Sequence, residues 1–210
     1  MSRLTLIVAA TLENGIGKNS GLPWRLPREM AYFARVTSNA PEGTMNAVVM
    51  GRNTWESIPA KFRPLKDRVN VVISRNQNYT LSIPEASQTP AFLRADLSSA
   101  LSLLRDPNET GKPIHRVFII GGASLYNETL QLPLSAPSFV DRILLTRIYS
   151  PTFDCDVFMP DFQKVVAAEE SHAQWRKASH TELKEWVGSD VPEGTEKERG
   201  IEYEFQMWVR

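Results

Sequence analysis

"RVFIIGGASLY", Arg116 to Tyr126, is the stretch on which the fold turns. Val117 to Ile120 is an unbroken apolar, β-rich run. Such a run fits a strand covered on both faces, as in a parallel α/β sheet. Gly121 and Gly122 end it, and Ala123-Ser124 opens a helical pattern. Two readings of the glycine pair stay open. It is a tight strand-to-helix turn, or it is a place where backbone N–H groups at a helix start approach a phosphate. The third glycine of the dinucleotide fingerprint is missing.

Working outward, other apolar β-branched runs recur: Leu4–Ala10, Asn46–Gly51, Val69–Ser74 and Arg142–Ile148. Helical patterns lie between them, at Pro27–Thr37, Asn53–Ile58, Asp96–Arg105 and Ser124–Gln131. Strand and helix in alternation predict an α/β architecture. "IEYEFQMWV" (Ile201–Val209) instead alternates apolar and polar side chains, the pattern of a half-exposed antiparallel strand. "HAQWRKAS" (His172–Ser179) is a candidate antiparallel partner, and the polar Thr181–Gly200 is expected to be an extended surface loop. The expected fold is therefore α/β: a mostly parallel mixed central sheet of about eight strands, an antiparallel C-terminal strand, and helices on both faces. Residues 1–210 are expected to form one domain.

Charge and composition exclude several functions. Lys plus Arg and Asp plus Glu are each 24, so no global field favours nucleic acid or an anionic membrane. Cys155 is the sole cysteine, and the three histidines lack metal-ligand spacing, so no metal is expected. No apolar run approaches a membrane span, and no signal peptide is recognisable at the start. A cytoplasmic monomer is the expectation. No G-x-x-x-x-G-K-[ST] occurs, which disfavours a P-loop phosphotransferase.

Three strand ends carry chemistry. Besides Gly121-Gly122, the Val48 strand ends in Gly51-Arg52-Asn53-Thr54, and the Val71 strand ends in Ser74-Arg75. Singly, Asn53 or Thr54 reads as a helix cap and Arg75 as a solvated surface residue. Together, two arginines and two hydroxyls at carboxyl ends of strands suit a phosphomonoester such as that of NADP.

Glu29 stands among Trp24, Met30, Tyr32 and Phe33. Pro27 suits the first helical position, which makes Glu29 the third. The acid is then a helix-dipole device, or a polar handle in an apolar pocket. Leu26 at the N-cap cannot complete a capping box with it. Phe33, four residues on, shares its face. Carboxylate, aromatic platform and apolar wall together suit a flat heterocycle bearing N–H donors.

"LTLIVAATLENGIGKNSGLPWRLPREMAYF", "VVMGRNTWESIP", "RPLKDRVNVVISR", "VFIIGGASLY" and "DCDVFMP" together resemble the dihydrofolate reductase family, in its order and near its spacing. The long C-terminal insertions resemble eukaryotic, monofunctional forms. The resemblance implies reduction of 7,8-dihydrofolate to tetrahydrofolate by NADPH, with hydride transfer to pterin C6 and protonation at N5. Dihydrofolate and antifolates would be the ligands. Glu29 would hold pterin N3 and the 2-amino group, Thr146 would support Glu29, and Trp24 would order a nearby water. Met30, Phe33, Ile58 and Leu65 would wall the rings, with Ile7, Val8 and Ile120 giving backbone contacts. Arg68 would meet the α-carboxylate of the folate tail.

For the cofactor, the resemblance implies Ala9 and Ile16, in or beside the "GIGKNSGL" loop, against nicotinamide and ribose. Gly51, Arg52, Asn53, Thr54, Ile73, Ser74 and Arg75 would hold the adenosine side. Gly121 and Gly122 would form a cis peptide, and Ala123, Ser124, Leu125 and Tyr126 would lie along the pyrophosphate. A second phosphate-binding arginine falls at Arg94 or is missing. The glycine-rich loop is a candidate lid or a static turn. Two other readings stay open: a pteridine or pyrimidine reductase on the same fold, and a binding module without chemistry. Arg68 favours a folate, because only a folate tail needs an arginine.

Overall fold

The computed structural model describes residues 2–164 and 174–210. In chain order they form strands β1 (Ser2–Thr11) and β2 (Gly15–Gly17), helix α1 (Pro27–Ser38), β3 (Met45–Gly51), α2 (Arg52–Ser57), β4 (Arg68–Ile73) and β5 (Ala91–Arg94). There follow α3 (Leu97–Leu103), α4 (Pro107–Thr110), β6 (Ile114–Ile119), α5 (Ala123–Leu130), β7 (Ser138–Ser150) and β8 (Val157–Phe158). The C-terminal part adds β9 (Arg176–Lys177), α6 (His180–Val187), β10 (Thr195–Glu198) and β11 (Ile201–Val209). The chain divides into two compact units, residues 1–36 with 123–210, and residues 37–122.

In the first unit the strand order is β10-β11-β7-β1, with β9 on β11. β1 and β7 run parallel, with Ala9 opposite Thr146. β11 runs antiparallel to β7, with Phe205 opposite Thr146. The expected C-terminal pairing is present: Trp208 faces Lys177 and Val209 faces Arg176. Of the segment expected to supply it, His172 and Ala173 lie outside the described residues. In the second unit the order is β6-β3-β4-β5, all parallel. The architecture is thus mixed α/β, with eight strands in sheet order, mostly parallel, and antiparallel strands at the C-terminus.

The apolar runs explain the parallel part. Ala47, Val48, Val49 and Met50 of β3, and Val69, Val71 and Val72 of β4, are fully buried. Both faces are covered, so alternation vanishes. Each of these Val and Met side chains contributes about 1.5–3 kcal/mol by leaving water. α2 has only six residues and no side-chain cap. A helix this short is not stable alone; burial of Trp55 anchors it.

Two expectations fail here. Neither Asn53 nor Thr54 caps a helix: Gly51 is the N-cap, so both lie in the first turn. And Thr181–Gly200 is not an extended loop. Ser179 and Glu182 form a reciprocal capping box that starts α6, and Gly188 closes it in the left-handed region. Arg199 and Gly200, with φ of 53° and 78°, form the two-residue turn of the β10–β11 hairpin. Positive φ at both positions matches strand twist. Alternation in β11 also stops at Gln206, which is buried. Its amide is satisfied by Tyr149, Glu204 and Trp208.

No helix among the described residues is long and apolar enough to cross a membrane. Among them there is also no group of three His, Cys, Asp or Glu side chains disposed to hold a metal ion.

Candidate functional site

The acid lies in the first unit. Pro27 opens α1 and Glu29 is its third residue, as the sequence predicts. The helix is amphipathic: Tyr32 and Val36 are buried with Glu29, while Met30 on the flank is about half exposed. Glu29 itself is 6% exposed, so it is not a solvated acid at a helix start. The Thr146 hydroxyl, 2% exposed on β7, donates to Glu29 Oε1 at 3.1 Å. Burial pushes the Glu29 carboxyl up to about 7; the Thr146 bond opposes this, and the charge of Glu198 adds to it. An isolated buried carboxylate is costly unless donors satisfy it, and one hydroxyl does only part of that.

Trp24 is 6% exposed, and its Nε1–H is buried without a partner among the described residues. Its ring meets Phe153 edge-on at 5.4 Å. Ile7 and Val8 are buried on β1, with Ala9 half-buried beside them. The Ile7 carbonyl accepts from the Tyr126 hydroxyl at 2.9 Å, tying α5 to β1. Leu125 and Tyr126 are buried on α5, whereas Ser124 is exposed and Ala123 and Phe33 are half-buried.

The glycine-rich loop is a hairpin. Lys18 and Gly21 exchange backbone bonds at 2.9 Å, and Asn19 and Ser20 hold positive φ between them. Ile16 sits on β2, which pairs with β8. Gly15 is required by contact: a Cβ there would stand 2.5 Å from Cys155 Sγ. Lys18–Asp154 (2.9 Å) and Asn19 N–H to Asp156 (3.0 Å) fasten the loop to the 154–158 segment.

The second unit carries the strand ends. Gly51 N–H donates to Gly121 O at 2.8 Å, and Ile120 N–H donates to Val49 O. The Gly121–Gly122 peptide is cis, as the resemblance implied, and Gly121 has φ of 117°, a region closed to other residues. Thr54 Oγ1 lies 3.5 Å from where a Gly122 Cβ would be. Arg52 and Arg75 are exposed, as is Asn53; Ser74 is buried, and Ile73 half-buried. Arg52 contacts Glu56 and stacks near Tyr79. Ser74 Oγ accepts from Asn76 N–H at 3.1 Å. Arg94 is opposite Ile73 in register, and its guanidinium reaches towards Glu109 at 4.0 Å.

Arg68 opens β4 and is 6% exposed. It donates to Thr37 Oγ1, and to the Lys66 carbonyl at 2.7 Å. Both partners are neutral oxygens, and burial pulls its pKa down to about 10. A desolvated arginine fork with neutral partners suits a ligand carboxylate. Leu65 and Ile58 are half-buried in the same unit.

Sequence reasoning missed several supports. Asn70 is fully buried, and its side chain bonds Leu65 N–H and O, each at 2.9 Å, fixing the chain before Arg68. One polar residue inside "RVNVVIS" was the available signal. Thr37, the Arg68 partner, gave none. Nor did Glu198, which meets α1 from 170 positions away in the chain.

The family model described as dihydrofolate reductase matches residues 3–187. The chain is 48% identical to the dihydrofolate reductase of Cryptococcus neoformans var. neoformans, over 98% of this chain and 94% of that one. It is 44% identical to that of Pneumocystis carinii, over 99% and 96%. The solved structure of Schistosoma mansoni dihydrofolate reductase superposes with a TM-score of 0.74, at 35% identity, covering 99% of this chain and 98% of that one. A match of this extent, joined to the buried acid, the cis glycine pair and the mixed parallel sheet, places the chain in the dihydrofolate reductase family of oxidoreductases.

Proposed function

We propose that the chain reduces 7,8-dihydrofolate to tetrahydrofolate with NADPH, both units serving as one reductase domain. The observation that carries this reading is Glu29: a carboxyl 6% exposed, held by Thr146 and raised to about 7. Its two oxygens match the N3–H and 2-amino donors of a pterin edge. Met30 and Phe33, with Ile58 and Leu65, supply apolar surface for the rings. Trp24 offers an unmatched indole N–H suited to an ordered water. Arg68 takes the α-carboxylate of the tail.

The donor set fits a phosphorylated dinucleotide. Arg52, Arg75, Thr54 and Ser74 lie at the carboxyl ends of β3 and β4, with bare glycine backbone at 51, 121 and 122. NADPH, when bound, supplies the hydride. The protein holds the pterin in register and keeps a proton on Glu29 below about pH 7. The N5 proton comes from water, and turnover declines as pH rises through the value at which Glu29 loses its proton.

The test is consumption of NADPH with dihydrofolate, followed by loss of reduced-nicotinamide absorbance. Glu29→Gln is expected to lower turnover by about two orders of magnitude or more while NADPH binding persists. Wild-type turnover in that variant would end the assignment. Arg68→Leu separates folate from other pterins. It should weaken dihydrofolate by roughly 2–3 kcal/mol and leave a tail-less dihydropterin unaffected.

A further inference from the structure

We propose that Glu198, on the C-terminal hairpin, is a positioning residue for Glu29: it grips the first turn of α1 and fixes a second negative charge beside the helix turn that carries the buried acid. This rests on the reading of Glu29 as the substrate-holding group. Both Glu198 carboxylate oxygens accept from the Arg28 backbone N–H, each at 3.1 Å. That N–H is one of the orphan donors of a helix start. A Ser, Thr or Asp at the N-cap would normally serve the first turn, but Leu26 stands there. Glu198 supplies the acceptor from β10 instead.

The grip is anchored on its own side. The Arg199-Gly200 turn sets Glu198 opposite Ile201. The Tyr203 hydroxyl donates to Glu198 Oε2 at 3.4 Å. Arg28 closes the cluster: Nη1 meets Glu196 at 3.0 Å, Nη2 donates to the Lys197 carbonyl, and Nε lies 3.8 Å from Glu198. The Glu198 side chain is only 10% exposed, so solvent screens its charge poorly.

The electrostatic consequence follows from Coulomb's law. A second carboxylate in a poorly screened region disfavours ionisation of the first. Of the groups around Glu29, Thr146 of β7 stabilises the anion. Tyr32 of α1 and Tyr126 of α5 are themselves pushed up, by burial first and by the Glu29 charge second. Glu198 of β10 raises Glu29, and Arg28 partly offsets Glu198. The hairpin therefore adds to the burial that keeps the site proton in place near neutral pH.

The experiment is a carboxyl ¹³C NMR titration of Glu29 in the full chain without ligands. Glu198→Gln keeps an acceptor for the Arg28 N–H and removes the charge. The Glu29 midpoint should fall by about half a pH unit or more. Glu198→Asp should restore most of the shift. Glu198→Thr, neutral and suited to a strand, gives the same readout should the Gln variant fail to fold. An unchanged or raised midpoint in the neutral variant, or equal shifts in the Gln and Asp variants, overturns the proposal. The titration uses no substrate, so a chain that turned over no dihydrofolate would refute the proposed function and leave this test intact.

Discussion

Two glutamates occupy the same position in two helices, and they behave oppositely. Glu29 is the third residue of α1 and Glu182 the third of α6. Glu182 is exposed. It receives Arg176 Nη2 at 2.8 Å and the Ser179 N–H at 2.7 Å, and these hold its carboxyl down at about 2. Glu29 is buried against β7 with one hydroxyl donor, and it is held up at about 7. Helix position alone favours an anion in both places. Desolvation reverses that preference in α1, because loss of hydration outweighs the fraction of a kcal/mol that a dipole supplies. An acid at a helix start is thus an ionised cap when its N-cap can reciprocate, and a desolvated carboxyl that holds its proton to higher pH when the preceding residue is Leu26 and the face is buried.

The largest expected effect is on stability against pH. Glu29 has a folded-state value above its ordinary 4.5. Between 4.5 and about 7 the folded chain binds more protons than the unfolded one, so stability falls as pH rises through that window. The loss totals on the order of 3 kcal/mol and is complete above the window. Glu29→Gln has no such loss. Urea unfolding of the ligand-free protein at pH 5 and pH 8 should show the variant gaining on wild type by most of that amount. A difference that does not change with pH would mean that Glu29 ionises freely, and the contrast with Glu182 would vanish.

That contrast was half visible beforehand. The α1 acid announced itself because Leu26 cannot cap, and because Phe33 and Val36 recur at helical spacing. The parallel strands were readable because burial on both faces removes polar positions from β3 and β4. The α6 cap was equally present, as Ser179-x-x-Glu182 followed by Gly188, but the polar composition of 181–200 concealed it: α6 buries only Leu183 and Val187. The Arg199-Gly200 turn was hidden for the same reason. What could not be read at all is long-range. Thr37 under Arg68 and Glu198 under Arg28 join residues 31 and 170 positions apart, and no local pattern encodes a partner in another element.

A smaller effect is expected at the Thr146 hydroxyl, which donates to Glu29. Thr146→Val keeps the shape and removes the donor at 3.1 Å. The Glu29 titration midpoint should rise, because the bond that favours the anion is gone. The destabilisation should reach about 1.5–3 kcal/mol above pH 8 and shrink below pH 5, where the carboxyl is neutral in either protein. A midpoint that stayed in place would show that Thr146 packs against Glu29 without stabilising its charge.

The smallest effect belongs to Glu182. Its carboxyl is depressed in the folded chain, so its contribution to stability is present above its ordinary value of 4.5 and is lost as pH falls towards 2. Solvent reaches this ion pair and screens it. Glu182→Ala should lower the midpoint of thermal unfolding slightly at pH 7, with the gap narrowing as pH is lowered, the reverse of the pH trend at Glu29. Turnover and its pH profile should not move, since the partners of Glu182, Arg176 and Ser179, are not among the residues assigned to substrate or cofactor. A shift of the turnover profile in this variant would mean that the exposed cap communicates with the buried acid, and that the same helical position does not separate the two roles.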